Sequence, residues 1–493
     1  MFILIQSIED LIFYELNHHV IEQRDVVYVR NQLYRLLSLD LTEPLPEPKD
    51  ILYPAIAIET ILNDLELKGL LDGSKVSRDL LDTKLMTVFT SKPSEVESRF
   101  FKLYKQDKQS ATNWYYDYVH HINYIRTERI MKNQSFITPS KYGNLEITIN
   151  LSKPEKDPKS IALSASAKSS EYPKCLLCVE NEGFAGNFSR DARDNHRMIG
   201  FDLNGSNYYF QYSPYIYYNE HAIILNALHK PMKIDGQTFD NLLTLCDTFE
   251  GYFFGSNADL PIVGGSILSH DHYQGGKHVF PIEKASFHHK WTKDNLTYYL
   301  LNWPLSTIRI QSKDKISLIN KAVDVLQKWQ LYTNPSLSIY NHSDGTPHQT
   351  ITPIVRKINT MYEMDLILRN NFTNEDYPLG VFHPHADKWH IKKENIGLIE
   401  AMGLAVLPAR LEQEFQAIKK HILNHSPLSA DLVKHQPWID HLKKLSPTKD
   451  SIDDIIRHAT GEVFMQVLED CGVFKMNKLG ISTFKRFIEE EIL

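Results

Sequence analysis

The sequence predicts an α+β fold in which helical regions at both ends of the chain flank a strand-rich middle. Apolar residues recur at helical spacing through most of residues 1–135, with a Pro-rich loop at 41–50. From residue 143 the pattern changes, because "NLEITINL" at 144–151 alternates apolar and polar residues as a half-buried strand does. After "FHPHADKWH" at 382–390 the helical pattern returns and continues to the end of the sequence.

The middle of the chain contains further predicted elements. Aromatic and β-branched residues at 208–226 indicate two strands that meet at Pro214. No short-period repeat or low-complexity tract interrupts the pattern. The other predicted elements are a helix over 238–254, a strand–turn–strand unit over 259–276, an amphipathic helix over 315–329 and a strand pair from 349–358 and 362–370.

Length and charge restrict the class of protein. A chain of 493 residues suggests two or three domains, or two fused half-units. Hydrophobic residues make up 42% and charged residues 23%, which is ordinary for a globular protein with a sizeable core. A net charge of −7 argues against a general nucleic-acid binder, but it leaves room for a basic pocket that holds a phosphorylated small molecule.

The N-terminal sequence and the cysteines point to a cytoplasmic protein without a membrane partner. A signal peptide needs a basic start and a long apolar run, whereas this short apolar start is followed by Glu9, Asp10 and Glu15. No segment approaches the roughly 18 apolar residues of a membrane span. The 4 cysteines are too few for a disulfide framework, and the cytoplasm would keep them reduced.

The most informative stretch is "DLPIVGGSILSHDHYQGG" at 259–276, which contains an H-x-H-x-Q motif between glycine pairs. In a strand, residues two apart face the same side, so His270, His272 and Gln274 should project together. Glycines beside them would let a ligand approach the backbone closely, and we expect Gly264-Gly265-Ser266 to contact substrate. The alternative is a hydrogen-bonded histidine pair with no chemical role.

A C-x-x-C pair at Cys175 and Cys178 is half of a tetrahedral zinc site. No second C-x-x-C is present, so the remaining ligands would be histidines, and His229 and His270 are the candidates. A redox dithiol is the rival interpretation, although nothing nearby resembles a thioredoxin unit. Two small apolar residues in a core are the other alternative.

A second group of residues could suit iron or zinc. A second H-x-H lies at His383 and His385, His348 follows a turn, and Glu283 is a candidate carboxylate. The alternative is that these histidines are ordinary surface residues.

The H-x-H-x-Q motif also suits covalent chemistry at phosphorus. A neutral imidazole keeps a free lone pair near pH 7, and its phosphoramidate is reactive enough to pass the group onward. The amide of Gln274 could donate to a phosphoryl oxygen. One histidine would then have a structural role, and the other would attack phosphorus.

These residues carry a resemblance to a known family. All eighteen residues of 259–276 resemble the signature segment of the type II galactose-1-phosphate uridylyltransferases, also called UDP-glucose–hexose-1-phosphate uridylyltransferases. The type I enzymes are only remotely similar, but they share the H-x-H-x-Q arrangement and belong to the histidine-triad fold group. The resemblance implies that UDP-glucose and galactose 1-phosphate exchange a uridylyl group in the Leloir pathway of galactose metabolism, giving glucose 1-phosphate and UDP-galactose.

The resemblance also implies residue roles. His272 would carry UMP in a ping-pong mechanism and Gln274 would contact the phosphoryl group. "NYIRTERIMKN" at 123–133 would supply Arg126 and Arg129 to the substrate phosphates. The implied metal ligands are Cys175, Cys178, His229 and His270 for zinc, and Glu283, His348, His383 and His385 for a second metal, usually iron.

The implied fold contains two histidine-triad-like antiparallel sheet units with helical additions, commonly in a homodimer. The predicted division is a helical N-terminal region at 1–140, a first such unit at 141–290, a second at 291–400 and a helical C-terminal region at 401–493. Two other functions stay open. One is a different transferase, phosphorylase or hydrolase of the histidine-triad group, although its hydrolases carry a third histidine where this chain has Gln274. The other is a non-catalytic sugar-nucleotide sensor.

Overall fold

A computed structural model describes residues 2–40, 44–152, 172–265 and 267–493. The chain divides into two compact units, each of which mixes helices with antiparallel strands. The predicted α+β class is therefore confirmed. The first unit comprises Met1–Lys132, Ser152–Ile216 and Glu220–His229, and the second comprises Asn133–Leu151, Tyr217–Asn219 and Lys230–Leu493.

Helices lie mainly towards the two ends of the chain, as the periodicity of the sequence predicts. The described helices are α1 (Phe2–Asn17), α2 (Val26–Leu36), α3 (Ala55–Leu67), α4 (Lys75–Thr87), α5 (Pro93–Tyr104), α6 (Lys108–His121), α7 (Thr127–Ile130), α8 (Gly236–Thr248), α9 (Lys315–Leu331), α10 (Leu398–Ala401), α11 (Arg410–Asn424), α12 (Gln436–Lys444), α13 (Ile452–Cys471) and α14 (Lys478–Phe487).

Strands occupy the middle of the chain. The described strands are β1 (Gln134–Ser140), β2 (Gly143–Asn150), β3 (Ile199–Leu203), β4 (Ser206–Tyr212), β5 (Ala222–Asn226), β6 (Phe253–Gly255), β7 (His272–Gly276), β8 (Phe287–Lys293), β9 (Leu296–Leu301), β10 (Thr307–Ser312), β11 (His342–Ser343), β12 (Thr346–Pro347), β13 (Gln349–Ile358), β14 (Met361–Asn370) and β15 (Leu404–Pro408).

In the first unit, helices α1 to α4 enclose one hydrophobic cluster and β3 to β5 form an antiparallel ladder. Helix α1 buries Leu4, Ile8 and Leu11 on one face, which is the spacing that a helix needs to bury one stripe. The ladder packs against α5 and α6 through aromatic rings. The Tyr115 ring centroid, for example, lies 5.3 Å from that of Phe210.

In the second unit, seven strands follow the order β7-β6-β13-β14-β10-β9-β8. Strands β13 and β14 form the predicted pair, with Cα partners from Gln349↔Asn370 to Ile358↔Met361. Helices α8 and α9 pack on this sheet. Trp329 of α9 is fully buried, and its indole N–H lies 3.1 Å from the carbonyl oxygens of Thr350 and Arg369.

Two predicted boundaries are wrong. The helix predicted over 238–254 ends at Thr248, because Phe249 is extended and Gly251 adopts a φ of +80°, and β6 follows. The residues that the structure describes within 259–276 contain one strand, β7, rather than a strand–turn–strand unit. Pro261 removes a backbone donor and the glycine pair occupies a tight loop, so the described residues before β7 form an isolated bridge and single hydrogen bonds rather than a strand.

A strand, β15, interrupts the C-terminal region that was predicted to be helical. It pairs in parallel with β2 in the sheet order β1-β2-β15, and it begins just after Gly403, whose φ is +102°. The partner strand is more than 250 residues away in the sequence, so local periodicity could not show the pairing. Among the residues that the structure describes, none of the helices has the length and apolar character needed to cross a membrane.

Candidate active site

The H-x-H-x-Q motif crosses from a loop into β7. His272 and Gln274 lie two residues apart on the strand and share one face of the sheet, while His270 precedes the strand. Tyr273 faces the opposite side, where the Asn241 amide of α8 donates to its hydroxyl at 3.0 Å. The sheet therefore separates the two chemical side chains from the helical layer.

The geometry of His272 fixes its tautomer. Its Nδ1 atom lies 2.8 Å from the backbone carbonyl oxygen of His270. Because a carbonyl can only accept a hydrogen bond, Nδ1 carries the proton and Nε2 keeps the lone pair of the neutral ring. Burial lowers the pKa of His272, so the imidazole stays neutral at physiological pH.

The glycine pair before the motif packs too closely for any side chain. A Cβ on Gly264 would lie 2.5 Å from the Ala258 carbonyl oxygen, and one on Gly265 would lie 2.5 Å from the Asn257 amide nitrogen. Glycine is therefore required by the close approach of the protein to itself. Ser266, the third residue of the predicted contact, lies outside the described residues.

The C-x-x-C pair forms a compact turn in the first unit. The two sulfur atoms lie 3.6 Å apart, and Cys178 Sγ lies 3.1 Å from Nδ1 of His229. The Asn181 amide donates to the carbonyl oxygens of Cys175 and Cys178 at 2.8 Å each, and the Leu177 amide points at Cys175 Sγ at 3.4 Å. These bonds hold both sulfur atoms on the same side as the imidazole.

This donor set fits a zinc ion. Two thiolates, each about 2.3 Å from a tetrahedral zinc, would lie about 3.8 Å apart, close to the observed separation. Burial raises the pKa of the Cys175 thiol to about 11, and a bound cation would reverse that preference. His270, the fourth predicted ligand, belongs to the second unit and is 1% exposed.

A cleft opens in the first unit. Its lining includes both predicted arginines and also two arginines and two tyrosines that the sequence did not single out. These residues are Arg126, Arg129, Arg190, Arg193, Tyr124 and Tyr215.

Carboxylates of α4, one buried and one half-buried, orient the two predicted arginines. Arg126 Nε donates to Asp82 at 2.9 Å, and Arg129 donates to Asp79 at 2.6 Å. Burial alone would raise the pKa of Asp79, but the two guanidinium groups outweigh it and hold that pKa below its usual value. At Asp82, the effect of burial outweighs that of the guanidinium groups, so the pKa of this carboxyl is raised. Arginine keeps its charge throughout, so the cleft stays cationic where these side chains face it.

The residues proposed for a second metal each have protein partners. His348 lies 2.6 Å from the Ser343 hydroxyl, and His383 Nε2 lies 3.0 Å from Asn395 Oδ1. The metal-ligating groups found within residues 2–40, 44–152, 172–265 and 267–493 do not include Glu283, His348, His383 or His385.

The remaining two residues of that set are also engaged. His385 lies 3.4 Å from Asp470, and Glu283 accepts from the Phe280 amide at 2.8 Å. Burial raises the pKa of the Glu283 carboxyl. The second metal site stays a prediction.

Sequence reasoning missed part of the cleft. Arg190 and Arg193 lie in "SRDARDNHR" at 189–197, which the composition indicates only as a loop rich in small and polar residues. Two arginines three apart in that loop were a usable signal. The aromatic lining was not predictable, because Tyr124 and Tyr215 are far apart in sequence.

Comparison with known families covers most of the chain. A family model described as "Galactose-1-phosphate uridyl transferase, N-terminal domain" matches residues 21–231. A second, described as "Galactose-1-phosphate uridyl transferase, C-terminal domain", matches residues 245–439.

Similar proteins extend over nearly the full length. Galactose-1-phosphate uridylyltransferase of Clostridium acetobutylicum is 48% identical, with 98% of this chain and 99% of that protein covered. The proteins of the same name from Clostridium perfringens and Lactococcus lactis are 46% and 44% identical, with 97% and 98% of both chains covered. Yeast Ap4A phosphorylase Apa2 is a solved structure with 13% identity and a TM-score of 0.28, covering 60% of this chain and 89% of that chain. From the two family matches and the identities to its relatives, the chain belongs to the galactose-1-phosphate uridylyltransferase family of nucleotidyltransferases.

Proposed function

We propose that this protein moves a uridylyl group from UDP-glucose to galactose 1-phosphate through a covalent intermediate on His272, as a step of galactose metabolism by the Leloir pathway. The observation that carries the proposal is the His272 tautomer, which leaves Nε2 with a free lone pair on the strand face that also bears Gln274. The relatives' names supply the substrate class.

The first half-reaction forms one bond and breaks one. Nε2 of His272 attacks the α-phosphorus of UDP-glucose, an N–P bond forms, and the P–O bond to glucose 1-phosphate breaks. Glucose 1-phosphate leaves with the bonding electron pair. The imidazole then carries positive charge, which the hydrogen bond from Nδ1–H to the His270 carbonyl stabilises.

The second half-reaction reverses these bonds. A phosphate oxygen of galactose 1-phosphate attacks the same phosphorus, a new P–O bond forms, and the N–P bond to His272 breaks. UDP-galactose leaves and the neutral imidazole returns. One nucleophile therefore serves both sugar phosphates in turn, and two bulky sugar phosphates never compete for one phosphorus.

The other residues would bind and orient. Gln274, a neutral donor on the same strand face, would contact the transferring phosphoryl oxygens without trapping the adduct. Arg126 and Arg129 in the cleft would hold nucleotide phosphates, since planar guanidinium groups suit phosphate oxygens. Tyr124 and Tyr215 would offer aromatic surface to the nucleoside.

Cys175, Cys178 and His229 would hold a zinc ion, with His270 as the proposed fourth ligand. Two thiolates and two imidazoles form a closed structural set, so the ion would supply cross-linking rather than an open position for substrate. His270 would then have two roles, because its side chain would bind zinc while its carbonyl fixes the His272 tautomer.

One experiment tests the mechanism. The enzyme is incubated with UDP-glucose labelled in the uridine, without galactose 1-phosphate. The expected result is release of glucose 1-phosphate and label on the protein that is stable to mild base and lost in acid. Peptide mapping should place the label within 259–276, and His272→Ala should carry none.

His278→Ala is the matched control. His278 lies just beyond β7 and pairs with Glu146 at 2.8 Å, outside the motif, so this variant should label normally. Label on another residue, or sequential kinetics without labelled protein, would contradict the covalent mechanism. Replacing galactose 1-phosphate with inorganic phosphate or water tests the phosphorylase and hydrolase alternatives.

A further inference from the structure

The described residues between β6 and β7, 256–265 and 267–271, which we call the glycine loop, are held at several points of the second unit. The Asn257 side chain accepts from the Leu398 amide at 2.9 Å. The Pro261 carbonyl accepts from the Asn371 side chain at 3.3 Å. A bridge joins Ala258 to Gly264 and closes the loop on itself.

Asp259 joins this loop to two other segments at once. Its Oδ1 atom accepts from the Thr350 hydroxyl of β13 at 2.5 Å, and its Oδ2 atom accepts from the Ile234 amide at 2.8 Å. Thr350 is 2% exposed and Ile234 is 4% exposed, so water cannot replace either bond. Loss of the carboxylate would remove the acceptor of two buried donors.

The glycine loop also contacts the segment that precedes α8. The segment 230–234 runs beside the glycine loop and bonds at alternate residues. The Asp271 amide donates to the Lys230 carbonyl at 2.7 Å, and the Met232 amide donates to the Leu268 carbonyl at 2.9 Å. At Ile234 the amide donates to the Asp259 side chain.

The same loop contains an unfavourable backbone conformation. Ile262 has a φ of +73°, which a β-branched residue rarely adopts. Such a conformation persists only when the surrounding structure determines it. Ile262 lies three residues after Asp259 and two before Gly264, so the anchored carboxylate and the closed bridge bracket the strained residue.

We infer that Asp259 is a positioning residue for uridylyl transfer, which holds the strained glycine loop in the conformation that places Gly264, Gly265 and the start of β7. The inference rests on the proposed function, because it assumes that the group moves at His272. Asp259 itself would not touch the substrate. Loss of Asp259 would slow uridylyl transfer by displacing the reacting groups, and it would change the affinity for either substrate less.

The first test compares Asp259→Ala with Asp259→Asn. In the alanine variant, single-turnover labelling of the protein by UDP-glucose should slow by roughly 10²-fold, the effect of a displacement of about 1 Å at a reacting centre. The KM for galactose 1-phosphate should change by less than about threefold, because substrate binding is retained. Asparagine can accept from Ile234 or from Thr350 through its carbonyl oxygen, so Asp259→Asn should restore the rate to within about threefold of wild type.

The second test asks whether Asp259 acts by stabilising the strained backbone conformation of Ile262. Glycine tolerates positive φ, so Ile262→Gly should recover labelling by at least about tenfold when added to Asp259→Ala, and the double-mutant cycle should show coupling. Assays below the melting temperature of each variant, with folding checked by circular dichroism, separate positioning from unfolding.

The outcomes distinguish failure of the positioning role of Asp259 from failure of the proposed covalent mechanism. If folded Asp259→Ala labels within about threefold of wild type, or if the two substitutions act independently, the positioning role is wrong. If the wild-type enzyme exchanges uridylyl groups but carries no label on His272, the proposed mechanism fails, whereas the exchange rates of the variants still test Asp259.

Discussion

The Nδ1 atom of His272 lies 2.8 Å from the backbone carbonyl oxygen of His270, which commits the ring to one tautomer. The free lone pair is then on Nε2, and the uridylyl group should be attached there. Two-dimensional ¹H–³¹P NMR of the isolated uridylyl-histidine should show phosphorus coupled through Nε2. Attachment at Nδ1 would mean that the imidazole ring of His272 flips before it attacks phosphorus.

Gln274 shares the strand face of His272, and its amide should matter most in the transition state. Gln274→Ala should slow turnover by roughly 10²–10³-fold, the effect of a lost oxyanion donor, while KM changes less. Gln211→Ala is a control for the loss of a glutamine away from the motif, because Gln211 pairs with His196 in the first unit. Near-normal turnover of Gln274→Ala would show that the residue only packs.

The sequence predicted those parts of the fold that depend on local pattern. The strand pair at 349–370 has ten successive partners, and β-branched and apolar residues on either side of a tight turn indicate both strands. β15 could not be found in this way, because a parallel partner far away in sequence makes it a strand. The end of α8 depended on Gly251 at positive φ, which composition does not reveal.

In the candidate site, too, local motifs could be predicted from the sequence, whereas contacts between distant segments could not. Motifs of short spacing predict Cys175, Cys178 and His272 as site residues, because two or three residues together indicate the chemistry. Asp259 is the first residue of the signature segment, but nothing in its neighbours indicates Thr350, which is 91 residues further along the chain. Anchors of that kind follow from tertiary packing and have no local pattern.

The thiols of Cys175 and Cys178 should hold about one zinc ion per chain, and this ion should stabilise the fold because ligation energy becomes folding energy. Metal analysis of Cys175→Ser and Cys178→Ser should show its loss, together with a lower melting temperature. Cys246→Ser is the matched control. Cys246 is buried in α8 with its sulfur 3.5 Å from the Val355 carbonyl, so this variant should keep its zinc.

Arg129 should contribute to nucleotide binding through the cleft. Arg129→Gln should weaken UDP binding by about tenfold, or about 1.4 kcal/mol, because a charge-assisted hydrogen bond to phosphate is lost. Isothermal titration calorimetry measures the change. Arg78→Gln is the control, since Arg78 contacts Glu66 at 2.6 Å and does not line the cleft. Equal affinities of the two variants for UDP would remove Arg129 from the proposed site.

Glutamine substitutions of Glu15 and Glu9, on the same helix α1, should change the free energy of unfolding in opposite directions. Glu15 is 0% exposed, and neither of its carboxylate oxygens has a hydrogen-bond partner among the residues that the structure describes. Glu9 is bound by Arg30 through Nε and a terminal nitrogen, at 2.7 Å each. Glu9→Gln should therefore lower the free energy of unfolding, because it leaves a half-buried guanidinium poorly matched.

Burial raises the pKa of Glu15 well above its usual value of 4.5. The folded state therefore binds a proton that the unfolded chain releases, so the stability linked to Glu15 is fully present below pH 4.5 and is lost as the pH rises. Glu15→Gln has no such proton and should be more stable than wild type at pH 8, by about 1–3 kcal/mol, with little difference at pH 4. Urea denaturation at the two pH values measures this. A destabilised Glu15→Gln at pH 8 would show that the ionised carboxylate stabilises the folded protein.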